Sequence, residues 1–242
     1  MAVPDLDFRL PVRRREKGSG VVETSTSQAS LDAALASSRA VAILRASSAD
    51  RFDAVLDVLT EAGVRAVELT FTTRGVLAAI SAFAARKPAD IALGAGTVLS
   101  ADDARRAVDA GANYLISPNL DLAVVEEARR LGVPAVPGAL TPTEILAAWT
   151  AGASMVKVFP CGSVGGPGYL RAVRGPIPDV PLVPTGGVDI EAVPDYLAAG
   201  ASAVGIGSPL QGDAAEPGGD LGGLAARARR LVDLARPAGA SA

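Results

Sequence analysis

From about residue 31 onward, two hydrophobic patterns alternate along the chain. Short, nearly continuous apolar runs at 41–44, 65–70, 91–95, 114–117, 135–137, 155–158, 182–184 and 203–206 have the length and β-branched content of buried strands. Between them, 49–62, 74–86, 101–110, 121–131, 143–150 and 190–199 carry helical spacing. Asp102 and Asp103 fall in a first helical turn, and Pro142 falls where a first-turn proline is tolerated.

A short signature recurs at the helix-to-strand joints: E-A-G-V-R-A-V-E-L-T, D-A-G-A-N-Y-L-I-S, L-G-V-P-A-V-P-G, T-A-G-A-S-M-V-K-V and A-A-G-A-S-A-V-G-I. Its glycines are Gly63, Gly111, Gly132, Gly152 and Gly200, separated by one or two copies of a unit of roughly 20–25 residues, enough for one helix and one strand. Each glycine is expected to end its helix in a left-handed cap. Eight such units predict an α/β chain folded as a closed (β/α)8 TIM barrel, with a doubly wound open sheet as the alternative. The open sheet would need a nucleotide fingerprint after its first strand, and Arg45-Ala46-Ser47-Ser48 is not one. Residues 1–30 are rich in Pro, Arg, Ser, Thr and Gly and read as a flexible N-terminal extension. Residues 31–242 read as one barrel domain with a short N-terminal helix.

Composition then removes chemistries. The 242 residues contain no histidine and one cysteine, Cys161, so serine–histidine triads, cysteine–histidine dyads and histidine- or cysteine-clustered zinc sites cannot be built. No window approaches a membrane helix, there is no secretory h-region, and a lone cysteine is compatible with a cytoplasmic protein. A net charge of −3 gives no long-range pull toward nucleic acid, and the Arg13-Arg14-Arg15 cluster reads as a solvated stretch of the extension. Of 23 basic residues only Lys17, Lys87 and Lys157 are lysine. The first two sit in ordinary solvated places, a polar tail and an R-K-P turn. Lys157 interrupts the apolar run Met155-Val156-Lys157-Val158-Phe159-Pro160.

A closed parallel barrel gathers its chemistry at the C-terminal strand ends. There the sequence places Arg45 on the first strand, Glu68 and Thr70 on the second, and Thr97 after the third. Lys157 falls on the sixth, Thr185-Gly186-Gly187 after the seventh, and Gly205-Ile206-Gly207-Ser208 at the eighth. If Val156 and Val158 face the helices, Lys157 points inward. A buried ion pair with Glu68 is the bland reading. The sharper one is a desolvated amine of lowered pKa that attacks a carbonyl carbon, with Glu68 as acid–base. The glycine loops suit a phosphate or carboxylate group, although glycine also simply makes turns. Cys161 reads as a small buried hydrophobe, Trp149 and Tyr169 as packing residues, and Asp179 and Asp189 as turn and cap residues; no metal site is expected.

Taken in order, V-E-L-T-F-T, G-A-G-T-V, Y-L-I-S-P-N, V-P-G-A-L-T-P-T-E, V-K-V-F-P, G-P-I-P-D-V-P-L-V-P-T-G-G-V and V-G-I-G-S resemble the bifunctional 2-keto-3-deoxy-6-phosphogluconate / 4-hydroxy-2-oxoglutarate aldolase family over residues 31–236. The resemblance implies a metal-independent, cofactor-free class I aldolase, homotrimeric and cytoplasmic, releasing pyruvate from a phosphorylated 2-keto-3-deoxy sugar acid. It makes Lys157 the Schiff-base lysine and Glu68 the proton-transferring carboxylate. It also implies that Arg45 and Thr97 hold the carboxylate side, that Pro118 and Phe159 shape the pocket, and that Thr185, Gly186, Gly187, Gly207 and Ser208 meet the distal end. Some members carry arginine where this chain has Thr72; in members with V-L-R-A on the first strand the arginine there supplies the carboxylate contact, and I-L-R-A here matches that form, which ranks Arg45 above Arg74 as the carboxylate cation. The phosphogluconate, phosphogalactonate and hydroxyglutarate versions share the lysine and the glutamate, so the substrate stays open. So does a phosphate-binding barrel isomerase or synthase without covalent catalysis, or a barrel that only binds.

Overall fold

The computed structural model describes residues 25–236. The extension's Arg13–Arg15 cluster and Lys17 lie outside the described residues. Helix α1 (Thr26–Ser38) begins five residues ahead of the boundary expected from the sequence, with the Ser25 side chain accepting from the Gln28 amide. The run T-S-Q-A-S concealed it because small polar residues show no apolar period.

The strands are β1 (Ala40–Leu44), β2 (Ala66–Thr70), β3 (Ala92–Gly96), β4 (Tyr114–Ile116), β5 (Ala135–Val136), β6 (Gly138–Ala139), β7 (Val156–Val158), β8 (Leu182–Pro184) and β9 (Val204–Ile206). All pair in parallel, in the order β5-β4-β3-β2-β1-β9 and β6-β7-β8. The two ladders are one barrel. β5 and β6 are halves of a single fifth strand broken at Pro137, which has no N–H to give and whose carbonyl instead accepts from Lys157 N at 2.9 Å. The other seam closes through the Thr185–Gly205 bridge and through Ser202 N donating to Leu182 O at 2.9 Å. The expected eight-stranded (β/α)8 barrel is therefore formed, with the fifth strand running two residues past its predicted end.

Outside the strands lie α2 (Phe52–Glu61), α3 (Val76–Ala84), α4 (Ala101–Asp109), α5 (Leu122–Leu131), α6 (Pro142–Thr150), α7 (Gly166–Arg174), α8 (Val193–Ala198), α9 (Ser208–Gln211) and α10 (Leu221–Ala235). Their starts follow local chemistry. Ser100 caps α4, Asp121 caps α5, and Thr141 and Glu144 form a reciprocal capping box on α6 with Pro142 in the first turn. All five joint glycines have positive φ, from 71° at Gly132 to 108° at Gly111, as the repeat predicted. Each helix turns an apolar stripe to the sheet, Phe52, Val55, Leu56 and Leu59 on α2 being one.

Two apolar layers result. Ala42, Leu44, Val67, Leu69, Leu93, Val156, Val158 and Ile206 point outward to the helices. Val41, Ala66, Ala92, Tyr114, Ile116, Val136, Met155, Val183 and Ala203 point inward, and Leu31, Ala34 and Leu35 of α1 join them, so α1 plugs the N-terminal end. Lys87 departs from its solvated reading. It is half-buried, and its Nζ donates to Ile91 O at 2.7 Å, because the turn folds its stem over the entry to β3.

The inner layer has one tight fit. A Cβ on Gly94 would lie 2.3 Å from the Tyr114 ring, whose hydroxyl donates to Val67 O at 2.7 Å. Gly94→Ala should destabilise the barrel by about 1–3 kcal/mol in urea unfolding, from overpacking. Adding Tyr114→Leu should recover part of that loss, and strictly additive losses would contradict this packing.

Candidate active site

The C-terminal mouth assembles the predicted residues from several strands. On β7, Val156 and Val158 face the helices and Lys157 turns inward, 7% exposed, with its Nζ 5.2 Å from the centre of the Phe159 ring. On β2, Glu68 is 1% exposed and Thr70 fully buried. Room for Glu68 comes from β3, where a Cβ on Gly96 would stand 1.7 Å from Glu68 Oε1. Glycine at that position is thus what admits the carboxyl.

Glu68 Oε2 is buried without a protein hydrogen-bond partner. The carboxyl is not consumed by an ion pair with Lys157, since no salt bridge joins the two among the described residues. Burial pushes the Glu68 carboxyl above its ordinary range, against the opposing pull of Lys157 and Arg45. Tyr114 lies behind it, and burial, reinforced by the Glu68 charge, keeps its phenol protonated.

Arg45 directly follows β1 and reaches across the mouth, its Nη2 donating to Thr97 Oγ1 at 3.4 Å. Thr97 has φ 58°, a conformation that costs a β-branched residue strain and is retained where surroundings over-determine it. Arg74 is exposed in the loop between β2 and α3, its carbonyl accepting from Ala49 N, in the loop after β1, at 2.9 Å. Thr72 is exposed and shares a hydroxyl contact of 3.1 Å with Thr70.

Pro118 and Lys157 each adjoin Gly138 of β6. Gly138 pairs with Lys157 in the ladder, and a Cβ on Gly138 would lie 2.1 Å from Pro118 O. The loop after β8 is tied to the one after β7, Cys161 N donating to Thr185 O and Gly162 N to Gly186 O, both at 2.9 Å. Gly186 (φ 80°) and Gly187 (φ 72°) shape that loop, and a Cβ on Gly186 would lie 2.9 Å from the Phe159 ring. Gly207 precedes α9, whose first residue is the exposed Ser208. Cys161 is fully buried, as expected, and burial pushes its thiol up to about 11. Trp149 packs against the outer layer; Tyr169 does so too, while its hydroxyl donates to Leu140 O.

The class that this fold and this amine–carboxyl mouth define is that of the class I aldolases, carbon–carbon lyases built on a (β/α)8 barrel. Comparison with known proteins narrows it. The sequence profile of "KDPG and KHG aldolase" matches residues 31–221. A probable 2-dehydro-3-deoxy-6-phosphogalactonate aldolase of Rhizobium meliloti is 36% identical over 196 residues, covering 81% of this chain and 89% of the relative. The KHG/KDPG aldolase of Escherichia coli is 36% identical over 140 residues, covering 58% and 65%. The crystal structure of a 4-hydroxy-2-oxoglutarate / 2-dehydro-3-deoxyphosphogluconate aldolase from TTHB1 superposes with a TM-score of 0.74 at 39% identity, covering 85% of this chain and 98% of that one. The chain belongs to the KDPG and KHG aldolase family.

The buried Glu68 gives a pH prediction with a definite sign. Its raised pKa makes the folded state hold a proton more tightly than the unfolded chain, so stability is lost as pH rises from about the ordinary value of 4.5 through the folded pKa. Glu68→Gln does not titrate. In urea unfolding its stability relative to the parent should therefore improve as pH rises above 4.5, and the improvement should vanish below it. A difference independent of pH would contradict the assignment.

Proposed function

We propose that the protein cleaves a 2-keto-3-deoxy-6-phospho sugar acid, 2-dehydro-3-deoxy-6-phosphogluconate or its galactonate epimer, to pyruvate and glyceraldehyde 3-phosphate. By the same chemistry it would cleave 4-hydroxy-2-oxoglutarate to pyruvate and glyoxylate. The observation that carries this reading is buried Lys157 of the mouth, the one buried lysine among the described residues, inward on β7 and left unpaired by the buried Glu68. The names of the relatives supply the substrate class.

In this reading the Lys157 amine attacks C2 of the keto acid and water leaves, giving an iminium. Glu68 takes the proton of the C4 hydroxyl, directly or through water. The C3–C4 electron pair then moves into the iminium, releasing the aldehyde and leaving the enamine of pyruvate. Glu68 returns the proton to C3, water adds to C2, and Lys157 is freed. The protonated imine is the electron sink, a role that in other aldolases falls to a metal.

Arg45 and Thr97 hold the pyruvate carboxylate, and Pro118 and Phe159 wall the reacting carbons. Thr185, Gly186, Gly187, Gly207 and Ser208 meet the distal group. The Arg45–Thr97 contact and the shared loop ties support this division. The assembly in this reading is a cytoplasmic homotrimer. No described helix is long and apolar enough to cross a membrane.

Borohydride reduction with pyruvate present should add one carboxyethyl group, from hydride addition to the imine, mapped by peptide mass spectrometry to Lys157, and abolish cleavage. Lys157→Ala should take up no label and lose at least about 10³-fold in kcat, whereas label on another residue would end the proposal.

A further inference from the structure

At the end of β1 the chain leaves its ladder. Pairing with β9 stops at Ala42–Ile206, because the chain beyond Ile206 turns into α9. Leu44 still pairs with Leu69 of β2, and beyond the β9 ladder the main chain of 44–46 is further held by side chains. Thr70 Oγ1 donates to Leu44 O at 3.1 Å, and Thr73 Oγ1 accepts from Ala46 N at 3.2 Å. Between them, Gln211 takes both main-chain groups of one residue: Arg45 N donates to its Oε1 at 2.9 Å, and its Nε2 donates to Arg45 O at 2.8 Å.

Gln211 is 7% exposed, a polar side chain whose burial is offset by these two bonds. It is itself anchored, since Arg227 of α10 donates from Nε to Leu210 O at 2.8 Å and from Nη2 to Gln211 O at 3.1 Å. The amide thus stands in for a strand partner at the residue whose guanidinium crosses the mouth to Thr97.

We propose that Gln211 is a positioning residue: by clamping the Arg45 main chain it aims the Arg45 guanidinium across Thr97 and Glu68, and it links that end of the site to α9, which opens with Ser208. The inference rests on the reading of Arg45 as the carboxylate cation of an imine-forming aldolase. Glu68 is faced by Lys157 from β7, by Arg45 after β1 and by Tyr114 from β4. Of these, the clamp controls only Arg45. Its loss therefore weakens carboxylate binding and removes part of what holds the Glu68 carboxyl down.

The test compares the parent with Gln211→Met, which keeps length and loses both bonds, and with Gln211→Glu, which keeps only the acceptor for Arg45 N. Borohydride trapping of pyruvate on the parent is run first, and its failure overturns the functional reading itself. With trapping established, Gln211→Met should raise KM for the keto acid about tenfold with kcat within about threefold. The acid limb of its kcat/KM profile should move to higher pH, because Glu68 has lost cationic support. Gln211→Glu should fall between the two. A folded Gln211→Met with parental KM and parental acid limb overturns the inference. So does failure of both variants to fold, which would make Gln211 a packing element of the barrel alone.

Discussion

A carboxyl group inside a parallel barrel needs space that the inward side chains of neighbouring strands would ordinarily fill. β3 leaves that space open. Gly96 yields it to Glu68 and Gly94 yields it to Tyr114, each with clearance that even a methyl group would remove. The register makes this exchange specific, since Glu68 pairs with Gly94 and Thr70 with Gly96. A one-residue slip would turn Glu68 outward among the helices. The acid of the mouth is thus held by what a neighbouring strand lacks, and its raised pKa follows from the same enclosure.

The lysine is placed by a different constraint. Val156 and Val158 need the helical layer, and strand alternation then drives Lys157 inward with no specific bond to hold it there. Two buried groups of opposite tendency that stay apart form a poor structural ion pair and a serviceable acid–amine couple.

Much of this was legible in the sequence because it is local. The glycine-then-strand repeat, the Pro142 first turn, the alternation around Lys157 and the polar strand ends all lie within a few residues of one another. What escaped depends on contacts across the barrel. Gln211, in S-P-L-Q-G, looks like a surface residue until α9 folds back on Arg45. Tyr114 reads as one more apolar strand residue until Gly94 is opposite its ring. The start of helix α1, five residues before the expected boundary, escaped for a local reason, as its first turn carries small polar residues instead of an apolar stripe. Pro137 carried a usable signal, since a proline inside a run of strand residues marks a break, and the fifth strand breaks there.

The central claim is that Lys157 makes the imine and Glu68 moves the proton. Exchange of the pyruvate methyl protons with solvent deuterium, followed by NMR without any aldehyde, reads that division most directly. The parent should exchange rapidly, and Glu68→Gln should exchange about 10²–10⁴-fold more slowly while still forming the imine. Exchange by Glu68→Gln at the parental rate would contradict the account.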